Sequence, residues 1–236
     1  MIQLVTACNI GGRLMKRVLE SELMNDIQQA EAYANADFEK PHSRVIELLN
    51  AEFHQPEING QILDLGCGPG DITLRLGRRF PEARITAIDG SAAMIELANR
   101  RKEREKEIGK NITFIEGLIP KTEIPRLPYE LIISTSFLHH LPDPTILWNT
   151  TVDHAHSGCK IFVYDLFRPD SKEEAMRLVN QYSGNEPDVL KKDFYHSLLA
   201  AFEPEEVEQQ LSIVGLSELS VKIVSDRHIV IFGAKA

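Results

Sequence analysis

The residues best placed to do chemistry are glycines and carboxylates. An apolar run, Ile62-Leu63-Asp64-Leu65, leads into Gly66-Cys67-Gly68-Pro69-Gly70, and a helical stretch from Asp71 to Arg79 follows. Glycines let the backbone take positive φ and let a ligand approach the main chain closely. The free N–H groups at the start of the following helix then face that ligand. A second acid, Asp89, ends the next apolar run, 23 residues after Gly66, where a carboxylate can accept hydrogen bonds from a ribose diol. The alternative for Asp89 is a cap on the helix that begins near Ser91. The dinucleotide fingerprint would put a third glycine at the sixth position, but Asp71 stands there, and a carboxylate at that helix start disfavours a pyrophosphate. The Lys-Ser/Thr ending of a phosphate-binding P-loop is also missing.

Short apolar runs must position these groups. The strand candidates are Gln61–Leu65, Arg84–Ile88, Ile112–Ile115, Leu131–Ser134, Lys160–Tyr164, Leu219–Val224 and His228–Phe232. The first five alternate with helical or loop segments and are mostly apolar throughout, which fits strands covered on both faces of a parallel sheet. The last two are separated by only Ser225-Asp226-Arg227, a hairpin distance, so this pair is expected to be antiparallel. The expectation is an open α/β sheet with one reversed strand and helices on both faces. Residues 1–55 read as an N-terminal helical extension, helical from about residue 13. Residues 56–236 read as the α/β domain, with a helical insertion at about 170–203 broken at Gly184-Asn185-Glu186-Pro187.

Composition limits the partners. The chain has 236 residues, 43 % hydrophobic and 26 % charged, with a formal net charge of −9. This is globular composition, and the acidic balance opposes nucleic acid and anionic membranes. The interleaved run Arg100-Arg101-Lys102-Glu103-Arg104-Glu105-Lys106 reads as a solvated helix end rather than a basic patch. Three cysteines make no disulfide framework. The basic residues Arg13, Lys16 and Arg17 follow the first apolar stretch, the reverse of a signal peptide. A cytoplasmic location without membrane attachment is expected; the sequence does not reveal the oligomeric state.

Asp64-Leu-Gly-Cys-Gly-Pro-Gly70, Ile88-Asp89-Gly90-Ser91, and Tyr129-Glu-Leu-Ile-Ile-Ser134 followed by Leu138-His-His-Leu-Pro-Asp-Pro144 together resemble a class I S-adenosylmethionine-dependent methyltransferase. The resemblance covers roughly residues 60–166. It implies a Rossmann-like seven-stranded sheet of order 3-2-1-4-5-7-6 with strand 7 antiparallel, and S-adenosylmethionine as cofactor, leaving S-adenosylhomocysteine as product. It implies that Gly66, Cys67 and Gly68 line the methionine part, that Asp64 helps hold its amino group, that Asp89 with Gly90 binds the ribose hydroxyls, and that Ser134 ends the strand nearest the methionine amine. Many relatives carry an adenine-binding Asp after the third strand. Here Leu118 stands at that place, so adenine would meet a backbone carbonyl or a more apolar wall.

The resemblance also places the methyl acceptor over the ends of strands 4 and 5. His139 is the candidate acid/base or orienting group, and His140, Asp165 and Arg168 are candidate pocket residues; for Asp165 and Arg168 the alternative is a pair that shapes the turn. Aromatic residues from the additions, Tyr33 and Phe38 before the helix near His42 and Tyr195 in the insertion, could form a lid; the alternative for the insertion is a helical hairpin with its own small core. The histidine spacing of His139, His140, His154 and His156 matches no zinc pattern, so no metal is expected. A small-molecule acceptor is the first reading. An RNA or protein methyltransferase and a non-catalytic cofactor-binding protein are the alternatives.

Overall fold

The computed structural model describes residues 15–20, 27–36 and 39–236. In chain order the elements are α1 (Ile27–Asn35), α2 (Glu39–Glu52), β1 (Gln61–Leu65), α3 (Asp71–Arg79), β2 (Arg84–Asp89), α4 (Ala92–Arg104), α5 (Lys106–Gly109), β3 (Ile112–Glu116), β4 (Tyr129–Thr135), a 3-10 turn (Leu138–His140), α6 (Thr145–His154), β5 (Lys160–Leu166), α7 (Lys172–Ser183), α8 (Asp188–Ala200), α9 (Pro204–Val214), β6 (Ser220–Ile223) and β7 (His228–Ala234). The seven strands form one sheet of order β3-β2-β1-β4-β5-β7-β6. β1 to β5 pair in parallel, and β7 runs antiparallel to both β5 and β6. Both the expected order and the reversed strand are present.

Strand periodicity divides the core between the two sheet faces. Leu63, Leu65, Ile132, Ile161, Val163, Ile229 and Ile231 pack with Leu147 and Trp148 of α6 and Val207 and Leu211 of α9. Ile62, Leu131, Ile133, Phe162 and Val230 pack on the opposite face with Val45, Leu48 and Leu49 of α2 and Ile72 and Leu76 of α3. Trp148 is fully buried, and its indole N–H donates to Gln210 Oε1 at 2.9 Å, so its one polar atom is satisfied inside the core. α2 is thus part of the sheet's covering layer as well as an addition to it.

One expectation about the additions changes. Residues 15–20 are not helical. They run as a strap, because their hydrogen-bonding groups are drawn to other parts of the chain: Val18 N–H donates to Leu199 O, and the Arg17 guanidinium donates to the carbonyls of Ala200, His139 and Leu141. Arg17 also lies 3.8 Å over the Phe202 ring. The insertion forms α7 and α8, split at the expected Gly-Asn-Glu-Pro break. Together with Leu166 and Ala201, these helices enclose a separate core of Ala175, Leu178, Val179, Leu198 and Leu199. Asp37, Phe38 and the first dozen residues lie outside the described residues.

Candidate active site

The site is built at the carboxyl ends of β1, β2 and β4, where an open α/β sheet receives its ligands. β1 ends at Leu65, and Gly66 turns the chain at φ +77°. A side chain at Gly66 would run into the Phe137 ring, 2.3 Å from where its Cβ would stand. The Gly66 and Cys67 amides both donate to Ile88 O, which binds the loop to the end of β2. Gly68, at φ +51°, has open space where a Cβ would stand. A ligand can therefore lie directly against the main chain there. Gly70 at φ +78° starts α3.

Asp89 fastens this loop from the side. Its Oδ2 accepts from the Gly68 amide at 2.8 Å, and its Oδ1 accepts from the Ser91 amide at 2.8 Å. The helix cap itself is Ser91, whose hydroxyl accepts from Met94 N–H. Asp89 therefore supports both the loop and the entry to α4, and each of its oxygens keeps further lone-pair capacity for a diol. Burial raises its pKa against the pull of those two amides.

Asp64 lies beneath the loop, fully buried. Its Oδ2 accepts from Thr73 Oγ of α3 at 2.6 Å, and its Oδ1 has no hydrogen-bond partner among the described residues. Burial, with a smaller contribution from the Asp89 charge, pushes its pKa up to about 7. A buried carboxylate oxygen left without a donor calls for a cationic or N–H partner from a ligand. Cys67 is buried against Ala87, Ile95 and Phe114, and burial followed by the Asp64 and Asp89 charges raises its thiol pKa. It is a packing residue and a poor nucleophile.

Asp71 holds the first position of α3 with its pKa lowered despite burial, because His42 of α2 and Arg75 both bind its Oδ1 at 2.7 Å. The helix start is thereby tied to α2, with a fixed negative charge where a pyrophosphate would have to sit. Tyr33 packs near Ala93 and Met94 at the start of α4. Burial and then the nearby Asp71 and Asp89 charges push its hydroxyl pKa up to about 12, so it stays a neutral phenol beside the loop.

The turn after β4 has its own anchor. Asp165, at the end of β5, is buried, and its Oδ2 accepts from the amides of Phe137 and Leu138 at 2.9 and 2.7 Å. Its Oδ1 accepts from Leu166 N–H at 2.7 Å and from His139 Nδ1 at 2.5 Å. Burial opposes the charge on both side chains. Each one's opposite charge outweighs it, holding Asp165 below and His139 above its ordinary pKa. With four donors, Asp165 has no acceptor capacity left for a substrate. Arg168 is also committed to the fold: it donates to Ala201 O, Glu203 and Glu206 at 2.9, 2.7 and 3.0 Å. The two residues expected to bind a polar acceptor are thus built into the scaffold, and they do not pair with each other.

The other candidates divide similarly. Ser134 Oγ donates to Leu65 O at 2.7 Å and clasps β4 to β1, so its side chain is a strut. Gly90 lies in the turn between Asp89 and Ser91. Leu118 is 45 % exposed, and its carbonyl already accepts from Lys121 N–H, Thr122 N–H and the Thr122 hydroxyl. That carbonyl closes a turn, and the exposed side chain beside it is apolar. Tyr195 packs into the core of the α7–α8 hairpin beside Phe194. His139 is only 3 % exposed, and its ring lies 4.1 Å from that of His140. His140 Nδ1 meets Glu20 of the strap at 2.6 Å. Thr73, Phe137, Arg17 and Glu20 all take part in the site without belonging to any motif.

Residues 62–158 match a protein-family model described as a methyltransferase domain. The fold around them is that of a class I methyltransferase. The chain is 36 % identical over 121 residues to the malonyl-[acyl-carrier protein] O-methyltransferase of Priestia megaterium, a match spanning 51 % of this chain and 41 % of that protein. It is 27 % identical over 161 residues to a trans-aconitate 2-methyltransferase of Escherichia coli, covering 58 % of this chain and 61 % of that one. The chain thus spans less than two thirds of the length of either curated relative. Among solved structures, the plantazolicin methyltransferase BpumL with S-adenosylhomocysteine superposes with a TM-score of 0.66 at 18 % identity, covering 89 % of this chain and 90 % of that one. An S-adenosylmethionine-dependent methyltransferase from Aquifex aeolicus gives 0.62 at 16 % identity, with 86 % and 96 % covered. At these identities the structural likeness concerns the fold. No helix among the described residues is long and apolar enough to cross a membrane.

Proposed function

We infer that the protein transfers a methyl group from S-adenosylmethionine to a small-molecule acceptor. The observation that carries this reading is the pairing of open space over Gly68 with Asp89, whose carboxylate holds the Gly68 amide and keeps lone pairs for a diol. The buried, donor-less Oδ1 of Asp64 supports the same reading, since a cationic amino group would satisfy it. When bound, the cofactor supplies a sulfonium-activated methyl group. Gly66 and Gly68 would lie along its methionine part, Asp89 would accept from the ribose hydroxyls, and Tyr33 of α1, packed against the start of α4, would close the adenine side.

The rest of the chemistry falls to alignment and the exclusion of water. His139, fixed by Asp165, orients the floor of the acceptor side; a base is needed only where the acceptor starts protonated. The strap at 15–20 covers this turn through Arg17. The names of the two curated relatives, and the net charge of −9, favour a small carboxylic acid over RNA. We read residues 1–55 as a cap, the remainder as the catalytic domain with its α7–α8 insertion, and the location as cytoplasmic. S-adenosylhomocysteine release should be measured with a panel of small organic acids, with bulk RNA and with a protein pool. Turnover only with small acids is expected. Turnover only with RNA or protein would overturn the acceptor class, and no turnover despite cofactor binding would favour the non-catalytic alternative.

A further inference from the structure

We propose that Glu20, His139 and His140 form a binding site for one divalent transition-metal ion, of the zinc, cobalt or manganese kind, beside the acceptor pocket. One ligand atom from each of these three residues lies within 4.8 Å of the other two. Two imidazoles and one carboxylate form a donor set suited to borderline divalent ions, and they leave coordination positions open.

The geometry supports more than proximity. His139 Nδ1 is bound to Asp165, which fixes the ring and leaves Nε2, with no hydrogen-bond partner among the described residues, as the coordinating nitrogen. A carboxylate behind a histidine is the usual outer partner of a metal-bound imidazole. His140 Nδ1 lies 2.6 Å from Glu20 Oε2. The charge of an ion entering between them would be balanced by the Glu20 carboxylate. Glu20 is held in place from α8, where Ser197 Oγ donates to its Oε1 at 3.2 Å, and from the strap, where Arg17 ties residues 15–20 to the carbonyls of His139 and Leu141. Ligand atoms around an ion with bonds of about 2.0–2.1 Å lie roughly 3.3 Å apart, so His140 Nδ1 and Glu20, 2.6 Å apart, must separate slightly to admit it. The half-exposed His140 has room for this adjustment, while Glu20 is held and the buried His139 is fixed. Histidine spacing alone does not reveal this site, because its third ligand lies more than a hundred residues earlier in the chain.

The inference deepens the methyltransferase reading: the open positions of the ion would bind an oxygen of the acceptor. The site itself can be tested without turnover. Metal-stripped protein is dialysed against Zn2+ and against Mn2+ and its metal content measured, and Co2+ is added while its visible absorption is followed. One ion per chain is expected, with intense visible bands from Co2+ in a low-coordinate nitrogen–oxygen site. Glu20→Gln and His140→Ala should each weaken binding at least tenfold, and the bound ion should protect His140 from acylation in the wild type. Absence of stoichiometric binding of all three ions, or affinity unchanged in both variants, would overturn the proposal; the wild-type titration decides the matter if a variant fails to fold. S-adenosylhomocysteine binding by calorimetry separates the two claims. Homocysteine-product binding without metal binding sinks only the metal site, and metal binding without product binding sinks only the methyltransferase reading.

Discussion

Replacing Asp64 with Asn should make the free protein more stable and cofactor binding weaker. Burial without a second hydrogen-bond partner raises the Asp64 pKa from 3.8 to about 7. Between those values the folded protein holds a proton that the unfolded chain releases, so stability falls as pH rises through this window and is level above it. The ionised carboxylate then costs the fold about 4 kcal/mol. The substituted amide removes that cost but introduces an N–H without an acceptor, worth about 1–3 kcal/mol in the other direction. The net gain at pH 8 is about 1–3 kcal/mol, or a Tm roughly 2–12 °C higher, and it shrinks as the pH is lowered toward 5. S-adenosylhomocysteine affinity should fall at least tenfold in the same variant, because a cationic amino group loses its counter-charge. Scanning calorimetry at pH 8 and 5, with a binding titration, checks both effects. A lower Tm at pH 8 together with unchanged affinity would show that Asp64 is a structural strut.

The second large effect is at Asp165. Its four donors come from the turn after β4, from its own neighbour Leu166 and from His139. Asp165→Asn turns one acceptor oxygen into a donor that faces other donors, and leaves His139 without its anion. Breaking one side of a buried ion pair costs about 3–5 kcal/mol, so Tm should fall by roughly 6–20 °C. The sign of the pH dependence follows from both partners. Asp165 lies below its ordinary 3.8, so its contribution is present above that value and lost as pH falls through the lowered pKa. His139 lies above its ordinary 6.5, so its contribution is full below 6.5 and lost as pH rises through the raised pKa. The wild type should therefore exceed the variant most between pH 3.8 and 6.5, as thermal melts across pH would register. Equal stability at pH 5 would show that the pair adds nothing to the fold.

These two carboxylates also mark what the sequence makes legible. The Asp64 site is local: a strand, a glycine turn and a helix start occupy consecutive residues, and Asp89 ends the next strand, so spacing alone brings them together. The strands are equally visible, since runs such as Ile132-Ile133 and Val163-Tyr164 are covered on both faces. Asp165 and Arg168 are close in sequence and suggest a pair, but their partners come from the turn after β4 and from α9, which no local pattern encodes. The strap is the least legible element. Arg17 reaches His139 O across 122 residues, and its coil conformation is set by carbonyls on distant elements rather than by its own periodicity. Leu118 stands out as a departure, but only the turn at Thr122 explains why its carbonyl is occupied.

Isothermal titration of S-adenosylhomocysteine and of NAD into the wild-type protein and Asp89→Ala tests the central claim, that the loop from Gly66 to Gly70 with Asp89 is the site of S-adenosylmethionine. The account predicts one saturable homocysteine-product site per chain, no NAD binding, and an affinity about 1–3 kcal/mol weaker in Asp89→Ala, the cost of removing a hydrogen-bonding partner from a buried site. Tight NAD binding with no heat from S-adenosylhomocysteine, or wild-type affinity in a folded Asp89→Ala protein, would contradict it.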